Sequence, residues 1–150
     1  MKLALILWLA HVLPQPAADP MCLATTVYLE ARGQPEVGQL AIAEVALRRR
    51  DSGLWGRSIC SVVTAPGQFA MATLSPKVRL IEPLAAYVAL RVAIASVRNW
   101  SAPVGERHEI VPGANSFGVH SSADVASTQA RIVAVIGDHA FYRSGTIAQF

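Results

Sequence analysis

The longest apolar-periodic run most constrains the fold of this 150-residue chain, and it extends from Glu82-Pro83 to Asn99-Trp100. Apolar side chains recur in this run at helical spacing, and a proline near the start suits the first turn of a helix. The periodic positions are Leu84, Tyr87, Val88, Val92, Ala95 and Val97. The run therefore predicts a core helix against which the rest of the chain packs.

A second helix is predicted between Asp19 and Gly33. Asp19 is a typical N-cap residue, Pro20 would occupy the first turn, and Gly33 would follow the last turn as a C′ glycine. Within this helix Leu23, Val27 and Glu30 fall on one side, at positions i, i+4 and i+7. The pattern thus places a carboxylate on an apolar stripe.

Glu30 is the candidate catalytic residue of this helix. Burial disfavours the charged form of a carboxyl group, so its pKa rises toward the range in which it can donate a proton near neutral pH. We therefore expect Glu30 to act as a general acid. The alternative is a helix register shifted by one residue, with Glu30 solvated or paired with Arg32.

A third helix is predicted between Pro35 and Gly53. Residues near helical spacing on its core-facing side are Val37, Leu40, Ala41, Glu44 and Leu47. Glu44 is therefore the second candidate for a catalytic carboxylate. The competing interpretation pairs Glu44 with Arg48 at i+4, as an ordinary helix ion pair.

The remaining patterns complete a mainly α fold. Residues 58–64 predict a short helix or turn, and residues 111–120 predict irregular or extended chain. Gly137-Asp138, between two apolar segments, is a two-residue hairpin signal. We therefore expect an α+β architecture, mainly helical, with a small β element in the C-terminal third. The apolar share of 53% suits a single domain over residues 19–150.

Residues 1–18 have the composition of a secretory signal peptide. Lys2 precedes an apolar run that ends at Ala10, and small residues follow, with a cleavage site expected after Ala17 or Ala18. An uncleaved signal anchor is the second interpretation, and a buried N-terminal helix is the third. The first interpretation implies an exported protein of the periplasm or the extracellular cell wall, with membrane contact only through this segment.

The charge pattern does not favour nucleic acid as a partner. The formal net charge is only +3, and no basic stripe is interleaved with aromatic residues. The cluster Arg48-Arg49-Arg50 falls at a predicted helix C-terminus, where cations complement the helix dipole. A mild positive charge is compatible with anionic wall polymers.

Four blocks of the chain, in order, closely resemble the cell wall hydrolase family typified by the spore cortex-lytic enzyme SleB. The first block extends from Cys22 to Arg49 and contains the family's Tyr-x-Glu-Ala-Arg-Gly motif, its Gly-Gln pair and its Ala-rich helix ending in Arg. The other three blocks are Pro66-Gly67-Gln68-Phe69, Gly113-Ala114-Asn115-Ser116-Phe117 and Ile136-Gly137-Asp138-His139-Ala140-Phe141-Tyr142.

The resemblance implies a lysozyme-like fold and peptidoglycan as the substrate. It implies cleavage of the glycan strand between N-acetylmuramic acid and N-acetylglucosamine, with Glu30 as the acid. Polar residues expected to orient the sugar N-acetyl groups are Gln68, Asn115 and Ser116. Aromatic residues that would stack on sugar rings, or else pack in the core, are Phe69, Phe117 and Tyr142. His139 is expected to hydrogen-bond near the cleft.

The chain also departs from the family pattern. The family commonly has Glu at the position of Gln34, Asn at Arg48, Ser at Ala70, and Thr-His-Tyr at residues 115–117. These changes leave the expected acid in place. They bear on substrate preference, including recognition of a modified muramic acid.

One well-placed acid favours a lytic transglycosylase, in which the muramic 6-hydroxyl attacks and Glu30 serves as acid and then base. A hydrolytic muramidase would need a second carboxylate. The family resemblance points to the transglycosylase as well.

Three other classes compete with a glycosidase. A zinc amidase would need ligands from His108, His120 and His139, although no His-Glu-x-x-His motif is present. A cysteine peptidase would need Cys60 as a thiolate beside His120 or His139. Cys22 and Cys60 are the chain's two cysteines, and export would favour a disulfide between them. The third class is a non-catalytic wall-binding module. We expect a monomer without a cofactor or metal.

Overall fold

The structure is a computed structural model that describes residues 1–120 and 131–145. Helices precede strands along the chain. The helices are α1 (Leu3–Val12), α2 (Gln15–Ala31), α3 (Glu36–Ser52), α4 (Ile59–Thr64), α5 (Ala70–Thr73) and α6 (Pro83–Trp100), followed by a 3₁₀ turn at Val104–Glu106. The strands are β1 (Ser116–Val119), β2 (Arg131–Ile136) and β3 (His139–Arg143). The predicted α+β class, mainly helical with a small β element in the C-terminal third, is confirmed.

The helix α6 is the predicted core helix, and it packs against both α2 and α3. Its buried side includes Ala89, Val92 and Trp100. Leu84 and Tyr87, which the periodicity assigned to the same stripe, lie on the opposite side and are 75% and 59% exposed. The apolar stripe of α6 is thus wider than the surface that its neighbours cover.

The helix α2 begins at Gln15, four residues before the predicted N-cap. Asp19 lies inside the helix, where its carboxylate accepts hydrogen bonds from the Gln15 side chain and from the Cys60 backbone nitrogen, both at 3.2 Å. The expected N-cap at Asp19 is therefore wrong for this chain, because α1 and Pro14 lead directly into an earlier first turn. The predicted end is correct, since Gly33 follows α2 with a φ of +84°.

A disulfide joins Cys22 of α2 to Cys60 of α4, and the two Cα atoms are 5.3 Å apart. The predicted pairing is confirmed. Cys60 consequently has no free thiol, which removes the cysteine peptidase from consideration.

The N-terminal segment packs on the helical body. Leu3 and Ile6 of α1 are buried in the core. The Leu3 nitrogen donates to the Val78 carbonyl and the Leu80 nitrogen donates to the Met1 carbonyl, both at 2.8 Å. In the structure, α1 is thus a packed N-terminal helix, the arrangement that the third interpretation of residues 1–18 describes. Cleavage of the segment stays a prediction. No helix in the described residues has the length and apolarity needed to cross a membrane.

The three strands form one antiparallel sheet in the order β1-β3-β2. The predicted hairpin is present, because β2 ends at Ile136, β3 begins at His139, and Gly137 adopts a φ of +58° in the turn between them. In the register, Ser116 faces Tyr142 and Val119 faces His139. The central strand β3 is buried from His139 to Tyr142.

Candidate active site

A cleft of about 380 Å³ separates the helical body from the sheet. The helices contribute Glu30 from the last turn of α2 and Arg49 from α3, and the loop before α5 forms one end. The sheet contributes β1 together with His139 and Tyr142 of β3. A second cavity of about 470 Å³ adjoins it, because Glu30, Val119 and His139 line both. We call the two together the Glu30 cleft.

Glu30 is partly buried and has one direct hydrogen bond. Its Oε1 accepts from the backbone nitrogen of Ala70, the first residue of α5, at 2.6 Å. Burial raises the pKa of Glu30, while the Ala70 hydrogen bond and the positive charge of Arg49 oppose that rise. The result is a carboxyl group that keeps its proton at higher pH than an exposed glutamate does. That property is what a general acid requires.

Arg49 is buried and supports the wall of the cleft. Its Nε donates to the Asn115 carbonyl at 2.8 Å, and its Nη1 donates to the backbone and side-chain oxygens of Gln68 at 3.0 and 3.2 Å. Its guanidinium also lies over the ring of Phe69, at 4.8 Å from the centroid. One arginine thereby ties α3 to the loop before α5 and to the start of the sheet.

The charge of Arg49 is retained in this setting. Burial lowers the pKa of Arg49 to about 10, and Coulombic interactions with Tyr142 and Glu30 oppose the decrease. Arg49 therefore remains a cation at neutral pH. The sequence did not reveal that Arg49 supports the cleft wall, because a run of three arginines at a helix C-terminus is explained by the helix dipole. The signal that could have indicated this role is the family-like block, which ends at Arg49.

Gln68 and Phe69 both line the cleft, as expected from the sequence. The Gln68 side-chain oxygen is occupied by Arg49, which leaves its amide nitrogen for a ligand. Phe69 is almost fully buried, and its ring packs against that of Phe117 with centroids 5.8 Å apart. Phe69 thus contributes mainly to the core beneath the cleft.

Ser116 and Phe117 of β1 also line the cleft, but Asn115 does not. The Asn115 side chain instead donates to the Ser144 carbonyl at 3.1 Å and accepts from the Ser144 nitrogen at 3.0 Å. These contacts fix the chain after β3. Ser116 is the polar group that β1 offers to a ligand.

His139 and Tyr142 of β3 complete the sheet side of the cleft. His139 is only 8% exposed, and its Nδ1 has no hydrogen-bond partner among the described residues. Burial lowers the pKa of His139, and the neighbouring carboxylate of Asp138 opposes the decrease. The imidazole is therefore neutral at neutral pH, and it can accept or donate one hydrogen bond in the cleft.

Glu44, the second carboxylate candidate, lies outside the Glu30 cleft. It lines a separate cavity of about 210 Å³ between α3 and α6. Its two oxygens accept hydrogen bonds from the backbone nitrogens of Ile110 and Val111, at 2.5 and 2.8 Å. Burial raises the pKa of Glu44, and the two backbone hydrogen bonds oppose the rise. Arg48 forms its ion pair with Glu109, at 3.4 Å, and not with Glu44. Glu44 holds the loop at residues 110 and 111 and does not line the Glu30 cleft.

The three histidines of the zinc amidase interpretation are not brought together. His108 lines the Glu44 cavity, whereas His120 and His139 line the Glu30 cleft. In residues 1–120 and 131–145, no group of three His, Cys, Asp or Glu side chains has a geometry that could hold a metal ion. That interpretation therefore has no ligand set in this part of the chain.

Comparison with a solved structure agrees with the fold. The catalytic domain of the Bacillus cereus SleB protein superposes with a TM-score of 0.61 and 23% sequence identity, covering 83% of this chain and 89% of that chain. The resemblance therefore extends over most of both structures.

Sequence comparisons identify the family. The spore cortex-lytic enzyme of Bacillus subtilis (strain 168) is 47% identical over 51 residues, which make up 34% of this chain and 17% of that enzyme. A family model described as Cell Wall Hydrolase matches residues 33–142, a range that includes Arg49, His139 and Tyr142. The resemblance found in the sequence is thus confirmed, and this chain belongs to the Cell Wall Hydrolase family.

Proposed function

We propose that this chain degrades peptidoglycan by cutting the glycan strand between N-acetylmuramic acid and N-acetylglucosamine, with Glu30 as the catalytic acid. The observation that carries the proposal is the position of Glu30, whose pKa burial raises, between the helical and sheet walls of the cleft. Family membership and the names of the two Bacillus relatives support the polymer as substrate. Ser116, Gln68 and His139 supply polar groups for the sugar substituents.

The reaction we propose is that of a lytic transglycosylase. Protonated Glu30 donates its proton to the glycosidic oxygen as the bond from that oxygen to the anomeric carbon of muramic acid breaks. The 6-hydroxyl of the same muramic residue then attacks the anomeric carbon and returns a proton to the Glu30 carboxylate. No water is consumed, and the products are a free N-acetylglucosamine hydroxyl and a 1,6-anhydro-muramic end.

Two neighbours support the ionised form of Glu30 during this cycle. The Ala70 nitrogen already donates to Oε1, and the Arg49 cation favours the carboxylate electrostatically. Both lower the pKa of Glu30 against the larger effect of burial, and the net shift is upward. A group that donates and then accepts one proton needs this balance.

The carboxylates of the cleft favour transglycosylation over hydrolysis. Among its described lining residues, the cavity between α2, α3 and the sheet contains Glu30 as its sole carboxylic acid. The adjoining cavity adds Asp138, whose carboxylate accepts a hydrogen bond from Gln34. Hydrolytic muramidase activity is the second candidate, and Asp138, not Glu44, is the residue that would activate water.

Mass spectrometry of fragments released from purified peptidoglycan tests the reaction type. We expect 1,6-anhydro-muramic ends, without incorporation of heavy oxygen from labelled water. Fragments one water heavier, carrying the label at the reducing end, would establish a hydrolase and direct attention to Asp138. Release of stem peptides from intact glycan strands would instead establish an amidase or a peptidase.

We further propose that the protein is exported through residues 1–18 and acts as a monomer in the periplasm or the extracellular wall. The charged residue, the apolar run and the small residues of this segment support export. The Cys22–Cys60 disulfide supports an oxidising compartment. Peptidoglycan also lies outside the cytoplasm, where an exported enzyme can reach it.

A further inference from the structure

Gln34 links the helical side of the Glu30 cleft to the sheet. Its amide nitrogen donates to the Asp138 carboxylate (Nε2 to Oδ2, 2.9 Å), and its amide oxygen accepts from the Asp138 backbone nitrogen at 3.0 Å. Two hydrogen bonds to one residue fix the orientation as well as the position of the turn between β2 and β3. We call this pair the Gln34–Asp138 clamp.

The turn is shaped to receive the Gln34 side chain. Gly137 has a φ of +58°, and a Cβ atom at this position would lie 2.2 Å from the Gln34 amide oxygen. Any larger residue would therefore force the clamp open. The end of β2 also packs closely on α3, since a Cβ at Gly38 would lie 3.4 Å from the Ile136 side chain.

Gln34 is itself held on the helical side. Its backbone nitrogen donates to the Ala31 carbonyl at 3.0 Å, and its backbone carbonyl accepts from the side chain of Gln39 at 3.1 Å. Gln39 is buried in the first turns of α3. The clamp therefore starts from a fixed point four residues after Glu30.

The clamp lies next to His139 in the chain and in the cleft. His139 directly follows Asp138, lines both cavities together with Glu30, and has an unpartnered Nδ1 within the described structure. At the other end of β3, beside Tyr142, Arg49 ties the sheet to α3 through the Asn115 carbonyl. Two polar ties thus hold opposite ends of the sheet wall.

We propose that Gln34 is a positioning residue for the Glu30 cleft, and that through Asp138 it holds His139 and the turn at a fixed separation from Glu30. Gln34 also lines the cavity that Glu30 and His139 share, but both groups of its side-chain amide are hydrogen-bonded to Asp138. The activity test of this proposal rests on the proposed function, whereas its spectroscopic test does not.

The spectroscopic test compares the His139 ring signals in carbon–proton NMR spectra of the wild type and Q34A. We expect the His139 signals to shift and broaden in Q34A, because the turn loses both hydrogen bonds. The control is R98Q, at an exposed position on α6, which should leave the His139 signals unchanged. Signals in Q34A that superimpose on those of the wild type would overturn the proposal.

The activity test uses Q34E, which keeps the side-chain length but places a second carboxylate against Asp138. We expect kcat/KM on peptidoglycan to fall by about 10-fold to 100-fold, the range typical of a small displacement in an active site. R98Q changes the net charge by the same amount and should retain activity. In the D138N background, Gln34→Glu should lower kcat/KM by a smaller factor. The amide introduced at position 138 can then donate to the carboxylate introduced at position 34.

Four outcomes distinguish the positioning role of Gln34 from the proposed function. The positioning role would be overturned if Gln34→Glu lowered kcat/KM as much in the D138N background as in the wild type. Wild-type kcat/KM in Q34E would overturn it as well. Reduced loss in that background, together with altered His139 signals in Q34A, would establish the clamp. If the wild type released no fragments from peptidoglycan, the proposed function would fail, while the His139 signals of Q34A would still decide the role of Gln34.

Discussion

At the scale of single residues, the environment that suits Glu30 to its proposed role as the acid also lowers the stability of the fold at neutral pH. Burial raises the pKa of Glu30, so the folded protein binds its proton more tightly than the unfolded chain does. The stabilising effect of that proton is fully present below about pH 4, near the ordinary pKa of glutamate, and is lost as the pH rises through the higher folded value. At a pH where Glu30 is ionised, its burial therefore lowers the free energy of unfolding.

We expect E30Q to lose activity and gain stability at neutral pH. A missing general acid typically lowers the rate by about 10² to 10⁴. The glutamine oxygen can still accept from the Ala70 nitrogen, so the fold should be preserved without the buried charge. Rates of peptidoglycan release and urea unfolding of both proteins at pH 4 and pH 7 provide the measurement.

The matched control is E44Q. Both Glu44 oxygens accept backbone hydrogen bonds, and an amide group would turn one acceptor into a donor facing an N–H group. This variant should therefore be less stable, but each folded molecule should remain active. Full activity in E30Q with loss of activity in E44Q would show that the catalytic acid has been misassigned.

At the scale of elements, the sequence predicted α2, α3, α4, α6, the hairpin and the disulfide because their signals are local or few, whereas it predicted no helix at α5. Capping and turn residues such as Gly33 and Gly137 mark chain reversals directly. The start of α2 was misplaced because Asp19-Pro20 is an equally good start signal four residues downstream. Arg49 and Asp138 were missed, since their roles come from tertiary neighbours and not from their own helix or turn.

Side-chain direction limited prediction of the site in the same way. The block 115–117 indicated that this stretch borders the cleft, but the motif did not reveal which side chains face it. Asn115 precedes β1 and turns toward Ser144, whereas Ser116 faces the cleft. That alternation depends on the register with β3, which only the folded sheet defines.

The disulfide gives a prediction at this scale. It joins α2 to α4 and closes a loop with a sequence separation of 38 residues. Replacing both cysteines, as in C22A/C60A, should lower the free energy of unfolding by about 3 to 4 kcal/mol in the chain-entropy treatment. Urea unfolding of the oxidised wild type and of purified C22A/C60A measures the difference. An unchanged midpoint would mean that the bridge contributes nothing to folding.

At the scale of the whole molecule, a helical body and a small sheet face each other across the Glu30 cleft, and α1 packs on the side of the body. The position of Asp19 is a reason to expect that the fold would tolerate loss of the segment before it. Cleavage after Ala18 would leave Asp19 and Pro20 as the first residues of α2. They would then provide the N-cap and first-turn proline that suit a helix start.

We therefore expect the exported protein to begin at or next to Asp19. N-terminal sequencing or intact mass measurement of protein recovered outside the cytoplasm tests this directly. A version expressed from residue 19 should keep its peptidoglycan activity, because none of residues 1–18 lines the Glu30 cleft. Recovery of the exported chain with Met1 and Lys2 still attached would instead make α1 a permanent part of the fold.

The composition of the cleft also has a consequence for the order of folding. The ribosome makes Glu30 early, but the strand that faces it, with His139 and Tyr142, is made more than a hundred residues later. Until that strand pairs, the sheet wall of the cleft opposite Glu30 is missing. On the proposed function, a nascent or unfolded chain would therefore lack lytic capacity, which would arise only when β3 joins the sheet.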